Sequence, residues 1–135
     1  MSYVYIGRHP SFVWGIVFNN IFRDMKTIIA GGRDYWLKPD DYKFLVYLNP
    51  KITEVVNGGA SGVDECGKFF GREISEIPVT TFKADWIKYS KAAGPIRNEN
   101  MAKYADRVIL FPGGKGTKNM SQMAKKYNLI IIDKR

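Results

Sequence analysis

The sequence predicts a single Rossmann-like α/β domain: a five-stranded, mainly parallel sheet with helices on both faces. Five short runs rich in Val, Ile and Phe lack in-out alternation, which marks strands buried on both faces. The segments between them carry apolar residues at helical spacing. Three of the five runs lead directly into glycine, and in such sheets ligands sit at the carboxyl ends of the strands.

The expected strands are Thr27–Ala30, Glu54–Asn57, Val79–Phe82, Val108–Phe111 and Leu129–Ile132. Between the first two, Pro39-Asp40-Asp41 places proline and acids where a helix begins, and Asn49-Pro50 ends it. Val63, Cys66, Gly67, Phe70 and Ile74 fall at i, i+3, i+4, i+7 and i+11 and predict the second helix. Gly94-Pro95 opens a third, from Ile96 to Tyr104. Met120, Met123, Ala124 and Tyr127 repeat the helical spacing, and the Met pair reads as core packing rather than a metal or redox feature. The order is βαβαβαβαβ.

Residues 1–24 stand apart, with neither a clean helical period nor a turn-bounded strand. Met25-Lys26-Thr27-Ile28 reads as the ordinary opening of an α/β domain. The expectation is therefore an N-terminal appendage over 1–24, of the kind an upstream start codon yields, and a domain over 25–135. The alternative is an N-terminal strand or helix packing Phe12, Trp14, Phe18 and Phe22 on the core.

Composition narrows the function. The chain has 135 residues, 45% hydrophobic and 25% charged, the balance of a globular protein. Twenty-one Lys and Arg against 13 Asp and Glu give a formal +8, which favours polyanions or phosphorylated ligands. One Cys, Cys66, excludes an internal disulfide and fits a reducing, cytoplasmic setting. One His beside one Cys argues against a protein-only zinc site, and no metal or cofactor is required by the residues present. The apolar stretch Phe12 to Phe18 is too short for a membrane span.

The candidate site lies in the glycine loops. Strand one runs into Gly31-Gly32-Arg33-Asp34, strand two into Gly58-Gly59-Ala60-Ser61-Gly62-Val63-Asp64, and strand four into Pro112-Gly113-Gly114-Lys115-Gly116-Thr117. Glycine lets a ligand approach main-chain N–H groups, and a turn that opens a helix adds the helix dipole as an anion site. None of the loops is a dinucleotide fingerprint or a Walker loop. Ser61 and Asp64 also satisfy a capping box, with Ser61 as N-cap, and Thr117 suits both a cap and a phosphate contact. The loop after strand three, Lys83-Ala84-Asp85-Trp86 through Lys91 to Arg97 and Asn98, mixes an aromatic with cations. A tryptophan there offers a stacking face and an arginine a bidentate anion fork.

Taken together, Ala30 to Asp34, Gly58 to Asp64, Ala84-Asp85-Trp86, Lys91 to Asn98 with Met101, and Ala105-Asp106 through Thr117 resemble the SLOG superfamily. The likeness is to its small stand-alone members in bacteria and phages, related to the YspA and YpsA group. It covers residues 26 to 135. The resemblance implies a nucleotide-derived ligand, held as sensor or processing protein, and often a homodimer.

Two more distant relatives imply different functions. The lonely-guy phosphoribohydrolases, which cleave the N-glycosidic bond of nucleoside monophosphates, resemble the chain at Arg97, Met101 and Pro112 to Thr117, which implies a catalytic role for Arg97. Their catalytic Glu is replaced by Met120, and Asn98 stands where they carry Lys. Methionine neither stabilises an oxocarbenium-like centre nor activates water, so hydrolysis would need Asp34, Asp64, Asp85 or Glu99 instead. The DNA-processing protein A family is similar over Gly58 to Asp64. That likeness implies single-stranded DNA binding, with Trp86, Tyr35 and Trp36 as stacking platforms.

Overall fold

The computed structural model describes residues 3–6 and 25–135. The strands are β1 (Tyr3–Ile6), β2 (Lys26–Ala30), β3 (Glu54–Asn57), β4 (Val79–Thr81), β5 (Arg107–Leu110) and β6 (Ile130–Asp133). The helices are α1 (Pro39–Tyr47), α2 (Val63–Phe69), α3 (Trp86–Tyr89), α4 (Ala93–Tyr104) and α5 (Lys115–Lys126). All strands join one sheet in the order β1-β6-β5-β2-β3-β4.

The five expected strands are all parallel, with Ile28 opposite Val56 on one side and Val108 on the other. The sixth, β1, comes from the segment set apart in the sequence and pairs antiparallel along the edge of β6, Tyr3 opposite Asp133. The remainder of residues 1–24, including Phe12, Trp14, Phe18 and Phe22, lies outside the described residues.

Successive strand residues point to opposite faces, and both faces are covered. Ile28, Val108, Leu110 and Ile131 pack with Met101 and Ala102 of α4 and Met120 and Ala124 of α5. Ile29, Val55, Ile109 and Ile132 pack on the other side with Leu45 of α1 and Val63 and Cys66 of α2. This two-sided burial is why the strands read as unbroken apolar runs. Each buried large aliphatic or Met side chain contributes about 1.5–3 kcal/mol.

The helices begin and end with small departures from expectation. Asp41 accepts the Lys38 N–H at 2.9 Å and so stabilises the start of α1. Gly62, not Ser61, is the N-cap of α2, at φ 68°, a left-handed conformation that favours glycine. The Ser61–Asp64 capping box therefore does not form. After Phe69 the helix widens into a π-helical turn, Phe70–Ile74. The wider turn rotates the apolar stripe, leaving Phe70 buried and Ile74 40% exposed. Helix α4 starts at Ala93, three residues before the expected Ile96, because Pro95 sits within the first turn, where its missing N–H costs nothing.

From β2 the chain crosses to β3 and β4 on one side, and later to β5 and β6 on the other. The order thus reverses between β2 and β5. A crevice opens at the carboxyl ends of strands at such a point.

Candidate functional site

The crevice is floored by the two strand ends that meet at the reversal. The Gly32 N–H donates to the Pro112 carbonyl at 2.8 Å, fastening the β2 loop to the β5 loop. The Val63 N–H donates to the Gly32 carbonyl at 3.2 Å and brings the β3 loop alongside. Together with the start of α4, these loops enclose a cleft of about 850 Å³.

Most residues expected at the site line this cleft: Gly31, Gly32, Arg33, Asp34, Ala60, Asp64, Trp86, Arg97, Asn98 and the whole run from Pro112 to Thr117. Gly58, Gly59 and Ser61 line a smaller adjoining cavity of about 370 Å³. Asp85 lines neither; its Oδ1 accepts the Lys88 N–H at 3.0 Å and caps α3. Of the three aromatics named for stacking, Tyr35 and Trp86 line the cleft and Trp36 does not.

On one wall stands the start of α5. Its N-cap is Gly114, no side chain caps its first turn, and that turn carries no acid. Thr117 lies inside the turn rather than capping it, and is buried. Around Gly114 and Gly116 the space where a side chain would lie is open to 4 Å. Neither glycine is demanded by internal packing. Lys115 adds a positive charge at the mouth.

The facing wall is a hydrogen-bonded network. Asn57, buried at the end of β3, donates to the Asp64 carbonyl at 3.1 Å and accepts from Thr81 at 2.8 Å. Asp64 Oδ2 accepts the N–H groups of Gly58 at 3.2 Å and Ala60 at 3.1 Å. Arg97 Nη1 donates to the Gly58 carbonyl at 2.9 Å, and its Nε donates to Asn98 Oδ1 at 3.0 Å. Asn98 Nδ2 donates in turn to Asn119 Oδ1 at 2.9 Å and to the Gly116 carbonyl at 3.3 Å. One chain of bonds thus runs from the β3 loop through α4 to the first turn of α5.

Burial sets the electrostatics here. Desolvation pushes the Asp64 carboxyl above its ordinary value, against the Ala60 N–H, the Arg97 charge and the Gly58 N–H. Desolvation likewise lowers Arg97, with Asp64 opposing and Arg33 adding. The other carboxylates considered for hydrolysis lie elsewhere or stand free of this network. Glu99 is held by Lys126 at 2.9 Å and Tyr127 at 2.6 Å, bonds that bring it down to about 2. Asp34 lines the cleft. Met120 does too, yet is 1% exposed and belongs to the core cluster of α4 and α5.

Asn119 was not visible in advance. Its partner Asn98 lies 21 residues away in the sequence. A polar, weak helix former one residue before a buried Met was the only local hint. Among the described residues no group of three or more His, Cys, Asp or Glu is placed to hold a metal. No described helix is long and apolar enough to cross a membrane.

Fold and cleft define a Rossmann-like α/β protein with a ligand-sized crevice at the topological reversal of its sheet. No protein-family model and no solved structure matches the chain significantly. It is 30% identical over 95 residues to the Gene 61 protein of Mycobacterium phage D29, an alignment spanning 65% of this chain and 76% of that protein. The chain belongs to the family of that phage protein.

Proposed function

We propose that the chain binds a nucleotide-derived ligand in the 850 Å³ cleft, with a phosphate against the first turn of α5. The observation that carries this reading is that turn itself. It is uncapped, free of acids, flanked by Lys115, and bordered at Gly114 and Gly116 by open space. Unpaired N–H groups and the helix dipole favour an anion there. Tyr35 and Trp86 offer ring faces for a base, and Arg97 a planar cationic fork. The likeness to the SLOG superfamily points the same way.

Binding or sensing is favoured over glycosidic hydrolysis. Met120, at the position of the catalytic carboxylate in the likeness to the lonely-guy enzymes, borders the cleft but is 1% exposed and packed in the core, where a charged replacement is costly. Asp64 already accepts two N–H groups of its own loop. A hydrolytic role would fall to Asp34, the other acid lining the cleft.

Native mass spectrometry of the protein purified from cells tests the reading, with a retained nucleotide mass expected. Base release from a nucleotide panel tests the alternative. Turnover above roughly 1 per second, the low end of ordinary enzymes, would make the protein a hydrolase.

A further inference from the structure

The smaller cavity differs from the main cleft in its charge. Arg33, Lys83 and Arg97 line it together with Ser61, whose hydroxyl donates to the Arg33 carbonyl at 3.3 Å, and no Asp or Glu does. The main cleft, by contrast, includes Asp34 and Asp64. Among the described residues neither Arg33 nor Lys83 forms an ion pair. Asp64 in the main cleft offsets part of the Arg97 and Arg33 charge, and Lys83 adds a further cation, so the concavity keeps a positive excess that favours an anion. The two spaces adjoin: Arg33, Ala60, Trp86 and Arg97 line both. Trp86, 52% exposed, stands at their junction with ring surface accessible for stacking.

We propose that this cavity is a second anion subsite, so that the ligand is a nucleotide carrying two separated phosphate groups. One phosphate lies at the first turn of α5, the other among Arg33, Lys83 and Arg97, and the nucleoside spans the junction at Trp86. The assignment rests on the reading of the main cleft as a nucleotide site. Lys83 separates the two, because it lines only the smaller cavity.

Calorimetric titration of the 5′-monophosphate and the 3′,5′-bisphosphate of each ribonucleoside, into the unmodified chain and into Lys83→Ala, reads the subsites apart. For at least one base the bisphosphate should bind about tenfold tighter than the monophosphate. Lys83→Ala should remove that advantage while changing monophosphate affinity less than about twofold. Equal affinities, or an advantage that survives Lys83→Ala, would overturn the second subsite and leave the nucleotide site standing. Absence of binding by every nucleotide would overturn both. A single-stranded oligonucleotide binding more tightly than any bisphosphate would assign the two subsites to successive phosphates of a strand and overturn the small-ligand proposal.

Discussion

Arg97 and Gly58, 39 residues apart, meet where the guanidinium Nη1 donates to the glycine carbonyl at 2.9 Å. A side chain at Gly58 would run into that guanidinium, so the glycine is what allows the close approach. The contact joins the start of α4 to the loop after β3 and turns Arg97 along the wall of the cleft.

Gly58→Ala should displace Arg97 and lower nucleotide monophosphate affinity about tenfold, the loss of one charge-assisted contact. The colliding atoms are the far end of a flexible side chain, so the melting temperature should change little. Titration and thermal denaturation of the same preparation check both halves.

Arg97→Ala should cost about 1.5–3 kcal/mol of binding, roughly tenfold to a hundredfold in affinity. Arg97→Lys should recover little, because Nη1 and Nε bond separate acceptors, Gly58 and Asn98, and an ammonium lacks that fork. A titration showing a loss below about 1 kcal/mol, the scale of an exposed ion pair, would remove Arg97 from the site.

Asp64 makes a prediction about pH. Its folded-state pKa is raised, so between the ordinary carboxylate value and that raised value the folded chain holds the proton more tightly than the unfolded chain. The Asp64 contribution to stability therefore increases as pH falls through this window. Urea denaturation from pH 7 to 4 should show the stability difference between the unmodified chain and Asp64→Asn moving in favour of the unmodified chain. Sulfate, whose charge is constant over that range, should also bind more tightly as Asp64 neutralises.

Met120→Glu should destabilise the fold by about 2–4 kcal/mol, since it puts a carboxylate into the cluster around Ala124 and Leu129. It should not gain base release. Chemical denaturation and a base-release assay measure the two effects, and hydrolysis by a stably folded Met120→Glu would show the position to be catalytically competent.

How much of this was legible follows from the range of each interaction. Strands such as β2 and β5 are local apolar runs, and their limits agree with the sequence to within one residue. The glycine loops announced the cleft because each follows its strand directly. The network could not be read, since Arg97 to Gly58 and Asn98 to Asn119 join residues distant in sequence. Two local signals misled for identifiable reasons. Ser61 fits an N-cap pattern, but the left-handed Gly62 after it takes the cap position. Asp85 reads as a ligand contact, while the short helix it caps, Trp86–Tyr89, carries no apolar period long enough to detect. The π-helical turn at Phe70–Ile74 is likewise a tertiary choice that leaves the periodicity of the sequence unchanged.

The central claim is that phosphate sits at the first turn of α5, and Gly114→Leu tests it most directly. A side chain built at Gly114 meets nothing within 4 Å, so leucine should fit without a clash; the backbone there, φ −105° and ψ −137°, lies outside the regions ordinary for leucine, so the variant should melt somewhat lower yet stay folded. The leucine would stand where the phosphate is placed. Calorimetric titration of nucleoside monophosphates into the folded Gly114→Leu protein should show affinity reduced by about a hundredfold or more. Affinity equal to that of the unmodified chain would place the phosphate elsewhere and contradict the account.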